Sequence, residues 1–387
     1  MITFAAQYLE SPISNATPGI VRERLHRAFD ILPLKVILLG WNLPASLEDA
    51  IALECTDQKA KLYRWHPLFT GDAATPAIMK TVNRHGQPIR GFQDMPEFTF
   101  LCPNRQDVQE FIFEQIENII QRGIFHGLFL DRVRFPSPTA APDENLACFC
   151  EYCQRAAISF GLDLQRVQLQ IEKILSRPRG RLNLVRSLFG NRIPGNPLEE
   201  FLEFRGNSIT RVVEFISKYL RTSGLDTALD CFSPSLAHLV GQDLAALDQL
   251  SVWTKIMTYP RTYGPAGLPF ELLNLVDWLD IEAQGKGLSA LREISELEIP
   301  NTRYQLAQIG LPASVISKEI VLARKIGVRK LLVGLALVQL PGVNSINSYQ
   351  TQADLLAARA ADGLVLSWDL WHISDEVLRI VNQIYCR

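Results

Sequence analysis

Lys330-Leu-Leu-Val-Gly-Leu-Ala-Leu-Val338 places its single charge at the start and then runs apolar without alternation. A strand with one face in water alternates polar and apolar side chains, whereas a strand covered on both faces, as in a parallel sheet flanked by helices, reads as a continuous apolar run. Lys35-Val-Ile-Leu-Leu-Gly-Trp41 has the same character. Working outward from these two, short apolar or β-branched runs recur at residues 2–7, 61–65, 127–131, 227–232, 252–259 and 363–368, which makes eight candidate strands. Segments with helical periodicity lie between most of them, at 18–29, 105–122, 198–223, 313–326 and 350–361. Strand alternating with helix means a parallel sheet. Eight such units predict an α/β fold of the (β/α)8 TIM barrel type, with residues 1–387 in one domain and long loops after the fourth strand. Two insertions are expected, about 136–153 and 176–197. An open doubly wound sheet competes, but it carries a glycine-rich turn after its first strand, and here Tyr8-Leu-Glu-Ser-Pro follows instead. No G-x-G-x-x-G or P-loop pattern occurs, so no organic cofactor is expected.

A formal charge of −2 creates no field to draw in nucleic acid or an anionic membrane. The apolar stretches 34–43 and 331–340 fall short of the ~20 residues that span a bilayer. Met1 leads into Ile-Thr-Phe-Ala-Ala-Gln-Tyr without a basic segment or cleavage pattern, so a cytoplasmic location is expected. The partner expected is a small neutral molecule, and a homo-oligomer is left open. Within the second insertion, Arg177, Arg179, Arg181, Arg186 and Arg192 read either as a phosphate-binding loop or as a solvated surface excursion, the latter favoured because no aromatic platform accompanies them.

In a barrel of this kind the side chains at the C-terminal ends of the strands converge on one mouth. The fourth strand, Gly127-Leu-Phe-Leu-Asp131-Arg-Val-Arg134-Phe-Pro, ends abruptly in an acid followed by two arginines. Asp131 reads as a catalytic acid or nucleophile kept ionised by Arg132 or Arg134, or as a salt-bridged rim carboxylate that orders the loop. Asp230 closes the fifth strand and Asp369 the eighth, so three acids are expected around one opening. Paired carboxylates divide the work of cleaving a glycosidic bond. Each of the latter two also suits the start of the following helix.

Aromatic residues gather at the same level: Trp41, Trp65, Tyr259, Trp368 and Trp371. Flat faces beside carboxylates suit sugar rings. His66 is expected to reach a substrate hydroxyl. Lys255, inside the sixth strand, is costly there unless paired with an acid or chemically active, for example as a Schiff-base amine. Cys148, Cys150 and Cys153 form C-x-C-x-x-C, and Cys102 in Phe-Leu-Cys102-Pro-Asn104 is the natural fourth ligand of a closed, structural zinc site. The alternative is a set of reduced, buried thiols.

Cys102-Pro-Asn, an acid ending the fourth strand and the C-x-C-x-x-C beyond it resemble the zinc cluster of glycoside hydrolase family forty-two β-galactosidases, over roughly residues 100–160. That resemblance implies zinc on Cys102, Cys148, Cys150 and Cys153. It fails at the catalytic positions: those enzymes use a glutamate in an Asn-Glu pair after the fourth strand and a second after the seventh. Here Asp131-Arg132 stands at the first place, and Ala336, Val338 and Gln339 stand at the second. Phe129-Leu-Asp131-Arg-Val-Arg134-Phe-Pro is similar to the Phe-Asp-Tyr-Ile-Arg-Phe-Pro signature of glycoside-hydrolase-like barrels. This similarity implies an aspartate-based site with Asp131 as nucleophile, and it assigns no acid/base, for which Asp230 and Asp369 are the candidates. The expectation is therefore a glycoside hydrolase acting on a carbohydrate, with substrate contacts from Trp41, Trp65, His66, Arg134, Lys255, Tyr259, Trp368 and Trp371. A non-catalytic carbohydrate-binding barrel and a Lys255 Schiff-base lyase are the alternatives.

Overall fold

Eight parallel strands pair in sequence order and the last pairs with the first, closing a barrel. They are β1 (Thr3–Tyr8), β2 (Val36–Leu39), β3 (Lys61–Pro67), β4 (Gly127–Asp131), β5 (Asp226–Phe232), β6 (Trp253–Met257), β7 (Leu331–Ala336) and β8 (Gly363–Ser367). This computed structural model describes residues 2–386 except 11, 12, 14, 15, 72–74, 191–194 and 345. Each strand falls on one of the eight apolar runs, and β7 and β2 are buried at every position, as their unbroken hydrophobicity requires.

Side chains alternate along a strand, so every second residue enters the barrel. Ala5, Val36, Leu38, Tyr63, Trp65, Phe129, Ala228, Trp253, Leu332 and Val365 form one interior cluster. Trp253 stacks on both Tyr63 and Phe129, at 6.1 and 5.3 Å between ring centroids. Two residues further along their strands, the same alternation sends Gln7, Asp131, Asp230, Lys255 and Ser367 inward above this aromatic floor. Gly334 of β7 belongs to that layer. A Cβ there would lie 2.2 Å from Lys255 Cε, so the glycine inside the apolar run is what makes room for the lysine.

The opposite strand faces pack against helices in a second, larger core. The helix α1 (Pro18–Ile31) starts at Thr17, whose hydroxyl accepts from the Ile20 N–H, and it buries Val21, Leu25 and Ala28. The helix α2 (Ala45–Asp57) buries Leu47, Ile51 and Cys55, and α3 (Gln106–Gln121) buries Val108, Ile112 and Ile116 at four-residue spacing. Helices at Leu164–Leu175 and Leu268–Ala283 are also present. Of the arginines in the second insertion, Arg177, Arg179 and Arg186 are exposed, Arg181 lies over the Trp278 ring, and Arg192 is outside the described residues. None of the described helices is long and apolar enough to cross a membrane.

Candidate active site at the barrel mouth

Asp131 is the last residue of β4 and lies 9% exposed at the bottom of the mouth. Trp65, two positions short of the end of β3, donates its indole N–H to Asp131 Oδ2 at 2.9 Å. The other oxygen accepts from the backbone N–H of Arg132. Arg132 sits at φ 52°, in the left-handed region, where the chain turns out of β4. Two N–H donors fix the orientation of the carboxyl group. Arg132 itself lies over the rings of Trp41 and Phe98 and donates to the Glu97 carbonyl, so it buttresses the mouth instead of pairing with Asp131.

Asp230 ends up in a different setting. Strand register places it beside Lys255, whose ammonium donates to Asp230 Oδ2 at 2.8 Å, to the Tyr259 hydroxyl at 2.8 Å and to Gln7 Oε1 at 3.2 Å. Ser367 completes the layer by donating to the same Gln7 oxygen. Lys255 is wholly enclosed, and its three acceptors hold it as an ammonium, with its pKa above the usual lysine value although burial alone would lower it. This setting disfavours the Schiff-base reading of Lys255, which needs a free, deprotonated amine within reach of a carbonyl, and its burial sets it behind Asp230 and Tyr259. Asp230 Oδ1 has no hydrogen-bond partner among the described residues. Burial, with Asp131 nearby, pushes the Asp230 carboxyl up to about 7 against the pull of Lys255.

Asp369 is committed to the backbone. Its Oδ1 accepts from the N–H groups of Leu9 and Trp371, both at 2.9 Å, and its Oδ2 from Glu10 at 3.2 Å. It therefore ties the loop after β1 to the turn after β8.

The expected aromatic ring divides in the same way. Trp41 and Trp368 are half-buried at the mouth, and Tyr259 stacks under Trp368 at 6.1 Å. Trp65 is buried beneath Trp41, 5.2 Å away edge to face. Trp371 packs against Tyr8, whose side chain points out of the barrel toward α1, so it is not part of the mouth. Arg134 is buried between the rings of Phe100 and Phe232 and is pushed down to about 10 by burial. His66 follows the inward Trp65 and so faces the helices.

An open cleft of about 960 Å3 runs beside Asp131, and its lining includes Glu10, Trp41, His66, Glu97, Phe98, Arg132 and Trp368. Glu10 has 33% of its side chain exposed there and lies 3.9 Å from Arg132. Burial pushes its carboxyl up to about 7, with Arg132 pulling the other way. Sequence reasoning looked for acids that terminate strands and passed over Glu10, which follows β1 by two positions. The signal was present in Tyr8-Leu-Glu10-Ser-Pro.

The sulfurs of Cys102, Cys148, Cys150 and Cys153 lie within 4.8 Å of one another and form a cluster able to hold a metal ion. Cys102 is 3.5 Å from Cys150 and 3.4 Å from Cys153. Backbone Val82 N–H and the Asn104 amide donate to the sulfurs of Cys148 and Cys153, each at 3.3 Å. Asn104 also donates to Ser208 on the long helix Pro197–Thr222. The cluster thus joins the loop after β3, which carries Glu97, Phe98 and Phe100, to the loop after β4 and to a helix.

No family model matches the sequence, and no curated protein matches it. Solved structures do. The C-terminal domain of a candidate chitinase from Desulfitobacterium hafniense DCB-2 shares 10% identity at a TM-score of 0.50, covering 99% of this chain and 99% of that one. The Ostrinia furnacalis Group IV chitinase gives 8% identity and 0.49 over 100% of both chains. The Bacillus megaterium QM B1551 spore cortex-lytic enzyme SleL gives 8% and 0.49 over 99% of this chain and 74% of that one. At such identity the likeness establishes a shared barrel fold.

Proposed function

We propose that the protein is a glycoside hydrolase whose working carboxylates are Asp131 and Glu10. The observation that carries this reading is the placement of an oriented carboxylate, held by two N–H donors, beside an aromatic-walled cleft whose own acid is shifted toward neutrality. Hydrolysis of a glycosidic bond needs one carboxylate facing the positive charge that develops at the anomeric carbon and one carboxylic acid that gives its proton to the departing oxygen. Asp131 suits the first task, because two N–H donors hold it in one orientation at the mouth. Glu10 suits the second, because it retains its proton near neutral pH and reaches the open cleft. Asp230 and Asp369, the sequence candidates for proton donor, are disfavoured by the lysine on one and the three backbone bonds on the other. The fold shared with a candidate chitinase domain agrees with carbohydrate as the substrate class. The test is a screen of aryl glycosides with Asp131→Asn as control. Cleavage by the parent that drops about 10³-fold or more in the variant is expected, and cleavage indifferent to the change would remove the assignment.

The cysteine cluster fits zinc in a structural role. Four Zn–S bonds of about 2.3 Å in a tetrahedron set sulfurs about 3.8 Å apart, close to the spacing here. With four thiolates bound, no coordination position is left for water, so the ion would brace the two mouth loops and take no part in the chemistry. Metal analysis of the purified protein should return close to one zinc per chain, and stripping it should lower the melting temperature. A metal content near zero in protein of unchanged stability would leave four buried thiols.

A further inference from the structure

The cleft that carries Glu10 extends beyond the mouth. From Trp41 and Arg132 it continues down the outside of β3 into the groove between α2 and α3, where Gln115, Asn118 and Phe111 form one wall. Its 960 Å3 lies at the upper end of the range for small-molecule sites, about 300–1,000 Å3, and exceeds what one sugar ring fills. His66 lines it at the β3 side. This imidazole is buried, and its Nε2 has no hydrogen-bond partner among the described residues. A buried polar atom without a partner is costly in a packed protein, and it marks a place where a ligand group adds a bond at little expense. Burial and the nearby Arg64 push the imidazole down to about 4, so at neutral pH the ring is uncharged and has one donor and one acceptor nitrogen.

Between α2 and α3 the charges of Glu48, Arg64 and Arg122 are matched to one another. Glu48 of α2 accepts from Arg64 on one oxygen and from Arg122 at 3.0 Å on the other. An anionic ligand would find both guanidinium groups engaged. What remains is two amides, a neutral imidazole and aromatic faces, a set that hydrogen-bonds hydroxyls and stacks on sugar rings.

We propose that this groove is a subsite for the further units of a neutral oligosaccharide, with His66 hydrogen-bonding a sugar hydroxyl and Gln115 and Asn118 flanking the chain. The inference rests on the hydrolase reading only for where the scissile bond lies. It is tested by titration calorimetry of cellotetraose, chitotetraose, xylotetraose and maltotetraose into the Asp131→Asn protein, alone or combined with His66→Phe or Gln115→Trp. At least one tetrasaccharide should bind. Each second change should weaken it about tenfold, the loss of one buried hydrogen bond or its steric equivalent, while the affinity for the matching aryl monoglycoside stays constant. Gln115 is on the helix surface, so filling the groove from there does not depend on His66→Phe folding well. Failure of all four sugars to bind, or binding by both second variants as tight as by the Asp131→Asn protein alone, overturns the subsite. Aryl monoglycoside cleavage by the parent protein reports separately on Asp131: retained cleavage with indifferent tetrasaccharide binding removes the groove alone. Groove-dependent binding without any cleavage upholds the groove and removes the hydrolase reading.

Discussion

Asp131 and Asp230 stand at the same level of neighbouring strands, Asp131 as the last residue of β4 and Asp230, expected to close β5, two residues before its end. Their surroundings separate them. On the β1 to β4 side, Asp131 meets two N–H donors next to Arg132, which lines the open cleft. On the β5 to β8 side, Asp230 meets a buried ammonium, whose other partners include a tyrosine stacked beneath a tryptophan. The difference comes from the adjoining strand: β3 supplies an indole N–H beside Asp131, whereas β6 supplies Lys255 beside Asp230. An aspartate at this level therefore acquires its chemistry from the side chain that the adjoining strand sends inward beside it.

The largest expected effect sharpens this contrast directly. Asp131→Asn should abolish cleavage and leave the melting temperature within a few degrees of the parent. Asp230→Asn should do the reverse in emphasis, because it leaves Lys255 buried without its counter-charge. Removing one partner of such a pair costs about 3–5 kcal/mol. Denaturant unfolding of Asp230→Asn and of Lys255→Met should show losses of that order, and Asp230→Leu with Lys255→Met together should recover much of it. A double variant as unstable as the sum of the singles would mean that the pair is not the unit described.

Glu10 gives the next test. A proton donor with a pKa of about 7 must be protonated to act, so the rate should fall as pH rises through about 7. Glu10→Gln should cost about 10²–10⁴ in rate and abolish that alkaline limb. If the limb persists in Glu10→Gln and disappears in Asp230→Asn, the proton comes from the closed side of the mouth and the comparison above is inverted.

The barrel was legible because burial on both faces of a parallel strand leaves a mark on every residue of the run. Lys330 to Val338 carries that mark, and even its one irregularity, Gly334, has a spatial reason in Lys255. The cysteine cluster was legible because three thiols at such short spacing, with a fourth before the preceding helix, suit one tetrahedral ion. The site was legible only in part. Asp131 announces itself by ending an apolar run, yet the same pattern at Asp369 gives a residue that holds three backbone N–H groups, since nothing in Ser-Trp-Asp369-Leu-Trp records that the loop after β1 arrives there. His66 and Trp65 are neighbours in sequence, and strand alternation puts them on opposite faces of β3. Glu10 was missed because the loop that carries it follows β1 while its partner Arg132 follows β4, and only closure of the barrel brings the two together.

The smallest effect concerns the indole that distinguishes the two aspartates. Trp65→Phe keeps the ring under Trp41 and removes only the N–H that Asp131 accepts at 2.9 Å. A hydrogen bond to a charged group contributes about 1.5–3 kcal/mol when the acceptor is ionised and less when it is neutral. The variant should therefore lower the rate by about tenfold, while the alkaline limb set by Glu10 stays where it is. Because Trp65 donates to the carboxylate and touches no other polar group described, an unchanged rate would show that the ring shapes the mouth and that its N–H takes no part in holding Asp131. A tenfold loss would place the origin of the Asp131 to Asp230 difference in one N–H of β3.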